Sequence, residues 1–102
     1  MTIYHKNGTI ITVQYASIEA AVKAGVSLRY ADLRGATLMD AYLRGADLTG
    51  ANLWGATLTN ANLTNADLAG AYLTDANLTN ADLTNADLAG AVLYIGNRCI
   101  TL

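Results

Sequence analysis

Residues able to carry covalent or acid–base chemistry are scarce in this 102-residue chain. There is one histidine, His5, one cysteine, Cys99, and two serines, Ser17 and Ser27. A nucleophile–base pair would require His5 to meet Cys99 from the opposite end of the sequence, or one of the serines. No Cys/His cluster has zinc-ligand spacing, and the glycine-and-aspartate nonapeptide of calcium-binding β-rolls is absent. The expectation is therefore no catalytic residue, no metal site and no cofactor. What does recur is carboxylate. Asp47, Asp67 and Asp87 stand twenty residues apart, a candidate acidic face.

The charges are also unevenly placed. Lys6, Lys23, Arg29, Arg34 and Arg44 outnumber Glu19, Asp32 and Asp40, leaving residues 1–44 at +2. Residues 45–95 hold Asp47, Asp67, Asp75, Asp82 and Asp87 with no base, a net −5. An overall charge of −2 argues against a nucleic-acid or anionic-membrane binder. No apolar run nears the roughly 20 residues that span a bilayer, and the opening Met1-Thr2-Ile3-Tyr4-His5-Lys6 does not read as a secretory signal. A single cysteine suits a reducing compartment, so a cytoplasmic location is expected.

The elements that position these residues come from a repeat. Leucine occupies every fifth position from Leu28 to Leu93, with Val26 or alanine two residues ahead of each. That makes fourteen unbroken pentads over residues 26–95. A helix would advance each leucine 140° beyond a full turn and scatter them around its circumference. A straight strand would flip each pentad, because five is odd. Alanine and leucine within one pentad are two apart, so both point the same way in extended chain. The pattern requires a short extended piece and a bend, repeated. If the bends are near right angles, four pentads close a square coil of twenty residues, and coils stack about 4.8 Å apart. Gly50, Gly70 and Gly90 would then share a corner, where absence of Cβ relieves crowding. All fourteen leucines would line the core.

Ala31-Asp32-Leu33-Arg34-Gly35 and Ala61-Asn62-Leu63-Thr64-Asn65 carry a further implication. Residues 26–95 resemble the pentapeptide-repeat family, whose motif reads A-(D/N)-L-x-x. The resemblance implies an all-β fold, a right-handed quadrilateral β-helix, with the handedness taken from the family alone. Some relatives mimic B-form DNA, occupy gyrase and dimerise through their C-terminal ends. Those mimics are generally longer, more acidic and richer in Phe, which this chain lacks. Topoisomerase inhibition or protection is thus the alternative function, with Asp47, Asp67 and Asp87 as its candidate surface.

Stacked coils leave open edges that need covers. Residues 1–25 are expected to form an N-terminal β-hairpin plus a short helix cap plugging the first coil. Asn7-Gly8 is a strong hairpin turn, and Ser17 can N-cap a helix over 18–24 that Gly25 ends. Residues 96–102 read as a C-terminal tail or cap, or as the junction to a longer chain. In the square register Arg34, Trp54, Thr74 and Tyr94 share one outward column, with Asp32, Asn52, Tyr72 and Val92 beside it. Arg34 could then stack on Trp54. Trp54, Tyr72, Val92, Tyr94 and Ile95 form the candidate partner or dimer surface. The sequence thus points to a non-enzymatic structural or protein-interaction module of bacterial or phage type. Its expected partner is a protein not identifiable from sequence, or a second copy through the C-terminal end, with neither membrane nor nucleic acid involved.

Overall fold

Each pentad ends in a bend because its last residue adopts a left-handed conformation. In the computed structural model, which describes residues 3–5, 10–12, 17–95 and 98–102, every pentad-closing residue from Tyr30 to Gly90 has positive φ, between 56° and 73°. The preceding leucine carbonyl accepts from the next alanine N–H at 2.9–3.1 Å. That hydrogen bond, with φ positive only at the third residue of the turn, is the type II pattern. Gly, Asn and Asp fill these positions because they tolerate that region at low cost. This corrects the crowding argument for Gly70 and Gly90, whereas at Gly50 the Tyr30 ring does crowd the position. A Cβ at Gly70 would meet nothing within 4 Å, and one at Gly90 would make only ordinary contact with the Gly70 backbone, at 3.7 Å. At those two positions the demand is conformational.

The bends stack in register. Parallel bridges join residues twenty apart on all four sides: Asp32 to Asn52 to Tyr72 to Val92, Thr37 to Thr57 to Asn77, Tyr42 to Asn62 to Asp82, and Asp47 to Asp67 to Asp87. Each leucine N–H from Leu28 to Leu73 donates to a carbonyl one coil further on, at 2.7–2.9 Å. Four pentads therefore make one coil. Alanine and leucine face inward, and the ten leucines from Leu28 to Leu73 are 0–5% exposed. Leu78, Leu83, Leu88 and Leu93 are only partly buried. The expectation of fourteen fully buried leucines is corrected at this end, where the last leucines have a neighbouring layer on one side only.

The two ends are finished differently. Helix α1 (Ile18–Lys23) starts at Ser17, whose Oγ accepts the Ala20 N–H at 3.0 Å. It stops one residue earlier than the sequence suggested, with Ala24 as C-cap and Gly25 at φ 83°. Ile18 and Ala21 are buried in the leucine core, so α1 covers the first coil. Strands β1 (Ile3–His5) and β2 (Ile10–Thr12) pair antiparallel with a register shift at Ile3/Tyr4, while the expected Asn7-Gly8 turn lies outside the described residues. β1 also pairs edge-on with β3 (Ala31–Asp32), so the hairpin continues the wall of the first coil. At the far end β4 (Val92–Ile95) leaves the pentad path and pairs antiparallel with β5 (Arg98–Thr101). Leu102 continues that pairing, donating its N–H to the Ala91 carbonyl at 2.8 Å.

One wall consequently outgrows the others. On the side carrying Asp32, Asn52, Tyr72 and Val92, the rows run β2, β1, Asp32, Asn52, Tyr72, β4, β5. Seven rows at about 4.8 Å make a sheet roughly 29 Å tall, along a molecule whose longest extent is 39 Å. Both terminal hairpins extend the same side. We call it the Trp54 side.

Candidate functional site

Where the second residue of a pentad is Asp or Asn, its side-chain oxygen accepts the backbone N–H two residues later, an Asx turn that orders the surface locally. Asp32 takes Arg34 N–H at 3.3 Å, Asn52 takes Trp54 at 3.1 Å, Asn62 takes Thr64 at 3.0 Å and Asn77 takes Thr79 at 3.0 Å. The acidic column does the same. Asp47 accepts from Thr49 at 3.2 Å, Asp67 from Ala69 at 3.0 Å and Asp87 from Ala89 at 3.0 Å. These three aspartates stack in register as the sequence placed them. Each carboxylate also holds its own corner, a role that the preference for Asp or Asn at this position signals.

Burial raises the Asp47 carboxyl pKa, but donors from Thr49 and Ser27, with Arg29 nearby, outweigh it and hold the group below the usual carboxylate range. The Thr84 hydroxyl and N–H hold Asp82 low in the same way. Asp32 is held low chiefly by the Arg34 guanidinium. That contact is bidentate, Nε to Oδ1 at 2.8 Å and Nη2 to Oδ2 at 2.7 Å. It corrects the expected stacking of Arg34 on Trp54. A planar guanidinium gains more from two charge-assisted hydrogen bonds than from an exposed ring face. A cation–π contact does form elsewhere: Arg29 lies 5.7 Å over the Tyr30 ring.

The candidate partner residues gather on the Trp54 side. Trp54 is 52% and Tyr72 45% exposed, on neighbouring rows, while Val92 is half-buried above them. Tyr94 and Ile95 belong to β4, paired with Cys99 and Arg98, but their side chains lie outside the described residues. β5 extends the sheet edge-on, leaving Tyr72 open. Beside Trp54 lies an open concavity of about 720 Å³ lined by Asp32, Arg34, Gly35, Trp54, Gly55 and Asp75. Gly35, Gly55 and Asp75 are pentad-closing residues of three successive coils. Sequence reasoning missed this furrow, although two glycines twenty residues apart beside the one tryptophan signalled it.

Among the described residues no group of three His, Cys, Asp or Glu side chains converges on a metal position. Cys99 is exposed on β5, and the His5 side chain lies outside the described residues. No described helix is long and apolar enough to cross a membrane.

Leucines stacked every five residues, twenty-residue parallel bridges and left-handed corners define a pentapeptide-repeat solenoid, and the comparisons agree. The family described as pentapeptide repeats (8 copies) matches residues 24–55 and 56–93. The chain belongs to the pentapeptide-repeat family, whose members form right-handed quadrilateral β-helices and are generally non-enzymatic structural modules. Similar solved structures include a pentapeptide repeat protein of the cyanobacterium Cyanothece, 41% identical over 65% of this chain and 41% of that one, with a TM-score of 0.55. A protein of the Arabidopsis thaliana thylakoid lumen is 38% identical over 69% of this chain and 54% of that one, TM-score 0.49. HetL of Nostoc, involved in heterocyst differentiation regulation, is 41% identical over 68% and 37%, TM-score 0.45. The chain thus spans about two-fifths to a half of the length of these structures. Comparison with curated proteins finds no match.

Proposed function

We infer that this chain is a non-enzymatic interaction module of bacterial or phage type, located in the cytoplasm, whose working surface is the Trp54 side. One observation carries this reading. Both terminal hairpins lengthen the wall that presents Trp54 and Tyr72, and among the described residues neither lengthens the other three. A tall sheet bearing exposed aromatics is suited to a protein partner. The interior supports the same view, because leucine fills the tube where an enzyme would need a cleft. The C-terminal end, with Leu78, Leu83 and Leu88 half covered, is the proposed site of self-association. The test is capture of bacterial proteins on immobilised chain against a Trp54→Ala/Tyr72→Ala variant of unchanged circular dichroism. A partner retained by the first and lost by the second supports the reading; identical retention by both sinks it. Light scattering of Tyr94→Asp, compared with the parent chain, checks the self-association.

Topoisomerase mimicry is left with the Asp47, Asp67 and Asp87 column. Those carboxylates serve their own turns, and three stacked acids make a short mimic of a phosphate backbone. A gyrase supercoiling assay with micromolar chain checks it.

A further inference from the structure

The furrow beside Trp54 has a definite chemistry. Its floor is two stacked glycines, Gly35 and Gly55, and a Cβ built on either would touch nothing within 4 Å. One flank is the half-exposed Trp54 indole. The cation at its lower end, Arg34, is already neutralised by its two hydrogen bonds to Asp32. The upper end is Asp75, whose carboxylate is joined by no hydrogen bond or ion pair among the described residues. A lone carboxylate lining the same furrow as an indole favours a cation, which the ring quadrupole and the negative charge attract together. The absence of any base between residues 45 and 95 adds a field of the same sign.

Resting on the interaction role inferred above for this face, we propose that the furrow receives an arginine side chain from a basic segment of the partner protein. The guanidinium stacks on Trp54 and its N–H groups point to Asp75. Arginine suits the site better than lysine because a planar, weakly hydrated guanidinium can lie flat on an indole while donating in its own plane. The glycine floor leaves room for its aliphatic stem.

Trp54 is the only tryptophan, so its fluorescence reports this site alone. The full chain is titrated at low salt with acetylated, amidated triarginine, and with triglutamate and maltotriose as anionic and neutral probes. The expected result is a saturable change in Trp54 emission with triarginine and none with the other two. Asp75→Asn is expected to weaken triarginine about three- to fivefold, the size of one exposed charge pair. Asparagine already closes pentads at Asn60, Asn65, Asn80 and Asn85 with positive φ, so this variant keeps the corner. Asp87→Asn, the same charge change on another side, is expected to leave the affinity within about twofold. A response to maltotriose or triglutamate instead, or equal loss from Asp87→Asn, overturns the proposal. A silent triarginine titration while Trp54-dependent partner capture persists also overturns it, and leaves the broader interaction reading intact.

Discussion

The Tyr30 ring occupies the space where Gly50 would carry a side chain. A Cβ at Gly50 would lie 2.5 Å from Tyr30 Cε1 and 2.6 Å from Cδ1. Tyr30 itself departs from the rule of its column. It is the one pentad-closing residue with positive φ, 56°, that is neither Gly, Asn nor Asp. A bulky residue there is strained by about 1 kcal/mol or more. Its ring lies on the backbone of the next coil and under Arg29, so packing at the start of the solenoid offsets a local conformational cost.

Two glycines on one corner should therefore respond unequally. Gly50→Ala and Gly70→Ala both place a side chain at positive φ, at about 1 kcal/mol each. Gly50→Ala also drives the Tyr30 ring outward, adding about 0.5–1 kcal/mol. In a Tyr30→Asn background the difference should vanish. A double-mutant cycle in urea measures it, and an equal cost for Gly50→Ala in both backgrounds contradicts the contact.

Leucine deletions should report the unfinished end of the core. Leu53 is fully buried between coils, and Leu53→Ala is expected to cost about 3–4 kcal/mol. Leu83 is only partly buried in the last layer, so Leu83→Ala should cost about half as much. Urea midpoints decide between this and a uniform core. Similar losses at both positions would show that something covers the last coil in solution.

The Asx turns predict an asymmetry between two substitutions at one site. Asp67→Asn keeps the acceptor for the Ala69 N–H and should change stability by less than about 0.5 kcal/mol. Asp67→Ala removes it and should cost about 1 kcal/mol. If Asn and Ala behave alike in thermal melts, the side chain does not hold the corner.

Acid should weaken the fold through three named groups. Asp32, Asp47 and Asp82 have folded pKa values below their unfolded ones. The stability they contribute is therefore complete above the unfolded value near about 3.9 and is lost as pH falls through the lower folded values. Urea midpoints should be flat from about pH 5 to 7 and fall below about pH 4. The triple Asp→Asn variant at these positions should lose part of that fall, and an unchanged pH profile would rule these groups out as its source.

Much of the architecture follows from the letters alone. A five-residue period excludes both regular helix and straight strand, and leucine two places after alanine sets one inward face per pentad. Register, coil size and the columns of Trp54, Tyr72 and the stacked aspartates come from that arithmetic, because a repeat without insertions leaves only one way to stack. The tertiary structure decided what depends on the meeting of distant chain. Arg34 turned to Asp32 because the Asx geometry brings the carboxylate within reach of its own pentad. Gly50 was needed against Tyr30, twenty residues earlier. The hairpins joined one wall because their strands find free backbone edges on β3 and β4, and no local pattern announces which edge a strand will choose. The furrow arose where three corner residues from separate coils align, a shape that exists only after stacking.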